Sequence, residues 1–337
     1  MRIAQIATID TPVRREHSGS IEQMVWLLDR ELTRLGHEVT VFGAAGGEVS
    51  GRFVATLPGT YAENGAPDDW RLCEMINLCR ALERAGDFDV VHSHAYLWSL
   101  PFEPLCRAPM VHTLHVHPYD DFLSLRAMWP RACVAAISEF QWSGTPQLPP
   151  AAVIHHGIDT AQFTFRAEPE DYVCFLGRFI PDKGALTAIR AARALGLRLL
   201  LAGARNEYFD ACIAQEVDGR AVEYIGPVTG EGRDRLLGGA RALLYPIEAP
   251  EPFGLVLAEA MMCGTPVVAT RLGAVPELVE DGVTGCLAAD AAGFLPQIPR
   301  AFSLDRRRIR AVAEQRFSAG RMAREYAALY ARLAARA

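Results

Sequence analysis

Two glutamates eight positions apart, Glu251 and Glu259, bracket a Phe253-Gly254 turn that leads into an apolar run with helical spacing. The first-turn amides of Phe253, Gly254 and Leu255 then sit at the positive end of a helix, where phosphate or polarised hydroxyls bind. A lone first-turn glutamate would do no more than stabilise the helix dipole. Lys183 is the one lysine among 34 basic side chains. A chain that uses arginine everywhere else keeps a compact, flexible ammonium here, and arginine is not its equivalent. Near the start, His17-Ser18-Gly19-Ser20 precedes a helical stretch, and Gly19 would let backbone amides approach a phosphate. Seven of the nine histidines fall between His92 and His156. The pairs His92/His94 and His115/His117 share a strand face, a spacing that permits chelation. No acidic or cysteine ligand recurs beside them, so no metal centre is expected.

The elements that must position these groups alternate along the chain. Strand patterns at 2–7, 37–42, 90–91, 110–114, 132–137 and 152–155 alternate with helical spacing at 21–35 and 70–85. The pattern restarts with strands at 172–176, 198–202, 222–225, 242–245 and 267–270, and helices at 184–195, 208–218, 233–238 and 255–262. Such alternation predicts an α/β protein with two parallel, doubly wound sheets, joined near 156–167. A last amphipathic helix spans 318–337, with Met322, Tyr326, Leu329, Tyr330 and Leu333 on one face.

Composition bounds the function. At 337 residues, 50% hydrophobic and 22% charged, the chain can build two packed cores. A formal charge of −6 argues against a general nucleic-acid binder. Eight cysteines form no C-x-x-C pair and read as buried hydrophobes of a reducing cytosol. The opening Met1-Arg-Ile-Ala-Gln-Ile6 reads as a strand rather than a signal peptide, and no apolar run reaches the length of a membrane span. The cluster Arg306-Arg307-Arg308-Arg310 is interrupted by acids and reads as a solvated helix face, with at most a peripheral membrane contact.

The run from Glu251 to Ala269 resembles the E-x7-E signature of family 4 glycosyltransferases, which are retaining, use nucleotide sugars and have the GT-B fold. Further segments carry the resemblance: Phe88-Asp-Val-Val-His-Ser-His94, Val111-His-Thr-Leu-His115, His156-Gly-Ile-Asp159, Gly177-Arg178-Phe-Ile-Pro-Asp-Lys183-Gly184, Gly273-Ala-Val-Pro-Glu277 and Asp281-Gly-Val-Thr-Gly285. At the N-terminal loop Gly19 is kept, but Ser20 stands where the family usually has a second glycine. Asp87-Phe-Asp89 has the D-x-D form of the other major glycosyltransferase fold, yet it precedes a strand and reads as strand entry.

The resemblance implies two facing Rossmann-like domains with a ligand cleft: an acceptor-side domain over 1–160, a donor domain over 168–315, and the 318–337 helix packing back on the first. It implies that Arg178 and Lys183 grip the donor diphosphate with the Phe253, Gly254 and Leu255 turn, that Glu259 takes the ribose hydroxyls, and that Glu251 and His115 meet the sugar. The reaction implied is metal-independent, same-face transfer of a hexosyl group to a sugar, lipid or small-molecule hydroxyl, in the cytoplasm. No resident cofactor is expected, because the nucleoside-diphosphate sugar is a substrate, with UDP-sugar the first expectation. The stretches 50–69 and 119–129 are the expected acceptor pocket. Two alternatives stay open: a nucleotide-sugar 2-epimerase, and a catalytically silent nucleotide-sugar-binding partner.

Overall fold

In a computed structural model, residues 1–15, 19–61 and 69–335 are described. His17 and Ser18 of the N-terminal loop, and most of the second half of the 50–69 stretch, lie outside them. The chain divides into two compact units, Met1–Gly157 with Ala319–Ala337, and Ile158–Ser318. It passes from the first to the second at Gly157/Ile158 and returns at Ser318/Ala319.

The first unit is built on a seven-stranded, wholly parallel sheet. Its strands are β1 (Arg2–Ile6), β2 (Glu38–Ala44), β3 (Arg52–Leu57), β4 (Val90–Ser93), β5 (Met110–Thr113), β6 (Cys133–Ala136) and β7 (Ala152–Val153). Their order is β3-β2-β1-β4-β5-β6-β7, so the winding reverses between β1 and β4. Helix α1 (Ser20–Arg34) lays Met24, Val25, Leu28 and Leu32 into the core. Each such side chain stabilises the unit by about 1.5–3 kcal/mol. Among the described residues before Gly157, further α-helices are α2 (Trp70–Leu82), α3 (Asp120–Met128) and the single turn α4 (Glu139–Trp142).

The second unit has a six-stranded parallel sheet of β8 (Val173–Leu176), β9 (Leu199–Ala202), β10 (Val222–Gly226), β11 (Leu243–Tyr245), β12 (Val267–Thr270) and β13 (Gly285–Ala288). The order β10-β9-β8-β11-β12-β13 reverses between β8 and β11. Helices α5 (Ala185–Ala194), α6 (Gly230–Gly239), α7 (Leu255–Met262), α8 (Val275–Leu278), α9 (Gln297–Ala301) and α10 (Arg306–Phe317) cover it. Helix α11 (Ala319–Ala334) then returns to the first unit, burying Met322, Tyr326, Leu329 and Tyr330.

Three sequence readings need correction. The 208–218 stretch is a π turn at Phe209–Ile213 followed by a 3-10 turn at Ala214–Glu216, not a regular helix. The Asn206 carboxamide takes the Phe209 N–H at 2.9 Å and anchors the turn to the Phe179 carbonyl at 2.9 Å. Helix α6 starts three residues earlier than its apolar spacing suggests, in a glycine-rich first turn. The arginine cluster is not a solvated face throughout. Arg306 is 8% exposed and donates to the carbonyls of Arg166, Ala240 and Gly238 and to the Thr265 hydroxyl, all at 2.7–2.9 Å.

Candidate functional site

In open parallel sheets, ligands bind outside the carboxyl ends of the strands where the winding reverses. In the second unit that point lies between the loop leaving β8 and the loop leaving β11. The β8 loop is pinned by Phe179, fully buried and stacked on Phe175 at 6.0 Å. Arg178 beside it is exposed. The turn Pro181–Lys183 ends at Gly184, whose φ of 69° and approach to the Pro246 carbonyl leave no room for a Cβ. This places the start of α5 directly against the β11 loop. Two hydrogen bonds join the same loops, Glu248 N–H to the Asp182 carbonyl at 2.8 Å and Thr187 hydroxyl to Glu248 at 2.9 Å.

Lys183 and Glu251 meet there as an ion pair, with 13% and 23% of their side chains exposed. The second oxygen of Glu251, Oε2, is buried without a partner. The Glu251 carbonyl accepts from Ala274 N–H at 2.9 Å, which ties it to the Gly273-Ala-Val-Pro-Glu277 turn. Gly254 caps α7 with a φ of 94°, and buried Phe253 packs edge-on to Phe317 at 6.4 Å. The amides of Gly254 and Leu255 therefore open α7, where N–H groups have no carbonyl one turn back. Glu259, one turn into α7 and 7% exposed, accepts from Arg233 of α6 at 2.8 Å. Arg233 was not marked by the sequence as a site residue: its stretch carries no motif, and only the fold brings α6 beside α7. Its Nε is buried without a partner.

In the first unit, Gly19 caps α1 in extended conformation, and its N–H donates to Thr11 Oγ1 at 2.5 Å. His115 follows β5 and its Nε2 lies 2.9 Å from His94 Nδ1. The rings of His92, His94, His115 and His156 form a column with successive centroids 3.9, 5.2 and 5.2 Å apart. His92 is fixed by Tyr330 at 2.6 Å and Thr113 at 2.8 Å, and Thr113 reaches Tyr326 at 3.0 Å. Loss of water around the rings pulls His115 down to about 3 and the other three well below the ordinary histidine value. All four are neutral at pH 7. His117 stands apart, exposed and stacked on Phe140 at 5.7 Å. Among the described residues no group of three or more His, Cys, Asp or Glu is arranged to hold a metal ion. No described helix is long and apolar enough to cross a membrane. Asp89 of the D-x-D segment pairs with Arg2 at 2.9 Å at the entry to β4.

Comparison with known proteins adds to this geometry. Residues 21–162 match the family model "Glycosyltransferase Family 4", and residues 170–303 match "Glycosyl transferases group 1". The D-inositol 3-phosphate glycosyltransferase of Mycobacterium avium is 28% identical over 86% of this chain and 82% of its own length. AviGT4, a glycosyltransferase of avilamycin A biosynthesis, is 27% identical with a TM-score of 0.73, over 100% of this chain and 98% of its own. Sucrose-phosphate synthase from Thermosynechococcus elongatus shares the fold at a TM-score of 0.82, with 21% identity over 100% of both chains. Anabaena HepE, solved with UDP and glucose, shares it at 0.73, with 20% identity over 99% of this chain and 100% of its own.

Proposed function

The chain belongs to glycosyltransferase family 4, with the GT-B fold, and on that premise we propose that it moves a hexosyl group from a nucleoside-diphosphate sugar to a hydroxyl acceptor with retention of configuration. The observation that carries the reading is the β8/β11 reversal, where Lys183, Glu251 and the opening of α7 converge.

Each group has a physical role in this reading. Negative charge grows on the departing diphosphate, and Arg178, Lys183 and the amides of Gly254 and Leu255 stabilise it. Phe253 holds the turn that presents those amides. Glu259, steadied by Arg233, accepts the ribose hydroxyls. Glu251 accepts from the sugar hydroxyls near the reacting carbon. In the first unit, Gly19 lets the backbone at the opening of α1 approach a phosphate oxygen, and neutral His115 hydrogen-bonds the donor sugar. The acceptor hydroxyl attacks from the face the diphosphate leaves, and a diphosphate oxygen takes its proton. These cations supply the charge that a metal supplies elsewhere, so no metal is required. UDP-glucose is the donor to try first, since HepE was solved with UDP and with UDP-glucose.

The test is a transfer reaction with UDP-glucose and an acceptor panel, run with and without EDTA, with the product anomer read by proton NMR. The reading expects an α-linked product at an unchanged rate in EDTA. A β-linked product would overturn retention, and isomerised donor without acceptor would make the chain an epimerase.

A further inference from the structure

The second unit holds a cavity of about 480 Å³ at the amino ends of β11 and β12, where Arg241 and Pro266 stand. In a parallel sheet that edge is opposite the carboxyl ends, which the sugar-transfer reading uses. A cavity of this size takes a small organic molecule. Arg306 is its most buried cation, 8% exposed. The carbonyls of Arg166, Ala240 and Gly238 and the Thr265 hydroxyl take four of its five N–H groups and leave one on Nη1. All four acceptors are neutral. Burial lowers the basicity of Arg306, and the groups acting on it are Cys263, Tyr172, Cys174 and a second cation, Arg166, with no carboxylate among them. Arg166 has its own acid, Asp234, at 2.8 Å. A buried guanidinium held only by neutral acceptors keeps its net charge uncompensated.

Two further guanidiniums and two phenyl rings line the same cavity. Arg241 lies 3.9 Å over the Phe302 ring, and Arg307 lies 5.8 Å over Phe165. A guanidinium laid on a ring keeps its edge N–H groups for a planar oxyanion. Arg241 gives one of these to Asp171 at 3.1 Å, but Asp171 is 94% exposed, and such a surface pair yields to a competing anion at little cost. The lining has two acids of its own, both exposed. Asp305 caps α10, accepting from the N–H groups of Arg307 and Arg308 at 2.8 and 3.3 Å, and Glu168 faces solvent. Charge at solvent is screened, so the charge that governs the interior is the buried cation. A bare inorganic anion would answer that charge but leave the phenyl rings uncovered.

We propose that this cavity is a second ligand site, separate from the site of sugar transfer, and that it takes an aromatic carboxylate. The carboxylate meets Arg306 and the edges of Arg241 and Arg307, and the ring packs against Phe165, Phe302 and Pro266. The test is a ligand-observed NMR titration of the full chain with 2-naphthoate, 2-naphthalenemethanol and inorganic phosphate, each with and without UDP. Naphthoate binds with the same affinity whether or not UDP is present, and the alcohol and phosphate bind at least tenfold more weakly. The double variant Arg241→Gln/Arg307→Gln lowers naphthoate affinity at least tenfold and leaves UDP-induced thermal stabilisation as it is in the unaltered chain. No naphthoate binding, comparable binding of the alcohol or of phosphate, displacement of naphthoate by UDP, or unchanged affinity in the double variant overturns the proposal. If the variant fails to fold, the three-probe comparison and the UDP competition on the unaltered chain still decide. Absence of any UDP-induced stabilisation counts against the donor reading alone, since the naphthoate titration judges the cavity.

Discussion

Arg233 and Glu259 form a pair in which the carboxylate is almost wholly buried, so each fixes the other's place. Arg233→Ala leaves Glu259 without its cation and loosens the group proposed to hold the ribose. The expected result is a donor KM raised by roughly tenfold or more with a smaller change in kcat, as when binding common to ground and transition states is lost. Steady-state kinetics over a donor series checks this. Titration gives a second residue-scale prediction. The four stacked histidines have folded values below the unfolded one near 6.5, so their contribution is complete above pH 6.5 and is lost as pH falls toward their folded values. Glu74, buried on α2, runs the other way: raised to about 8 by that burial, it contributes fully below its unfolded value of 4.5 and loses that contribution as pH rises through 8. Glu74→Gln is therefore more stable relative to the unaltered chain at pH 9 than at pH 5, as thermal melts at the two values should record. Motif spacing made Glu251, Glu259 and Lys183 legible, because each sits in a run whose neighbours set a turn and a helix start. Arg233 and Glu74 were not legible, since their meaning comes from partners far away in sequence, Glu259 and the Ile9 N–H. The one hint for Glu74 was its place on the α2 face shared by Trp70, Asn77 and Ala81, where a carboxylate is out of keeping.

At the scale of elements, the arginines of α10 do capping work that a hydrophobic pattern does not reveal. Arg306 satisfies the carbonyls of Gly238 and Ala240 where α6 ends, and Arg310 reaches the Met262 carbonyl at the end of α7. Cations at helix C-termini complement both the unpaired carbonyls and the dipole. Arg306→Met keeps the volume but leaves buried carbonyls without donors, at about 1–3 kcal/mol for each group. The expected outcome is a lowered denaturation midpoint with an unchanged m-value, measured by urea unfolding. The sequence read these arginines as solvent-facing because a buried guanidinium and an exposed one are spaced alike. Periodicity did better where burial is apolar: α1 and α11 carry their core faces as the spacing predicts, Met322, Tyr326, Leu329 and Tyr330 included. It missed β3, an edge strand half exposed along its first four residues, because no clean alternation marks it.

For the molecule as a whole, the two runs of the strand–helix pattern correspond to two parallel sheets, each with one reversal of winding. The reversal in the second sheet explains where Lys183 and Glu251 gather. Sequence spacing identified the strands other than β3 and β13, but strand order, and hence which loops meet, came only with the fold. The central claim is that the β8/β11 reversal holds a nucleoside diphosphate through Lys183. It is tested most directly by thermal unfolding of the unaltered chain and Lys183→Ala with UDP, GDP, ADP and TDP. A ligand at 100 times its dissociation constant adds about 2.7 kcal/mol to the native state. The account predicts that one nucleotide, UDP first, raises the melting temperature of the unaltered chain by several degrees and that Lys183→Ala responds far less. No shift with any of the four, or an equal shift in the variant, would contradict it.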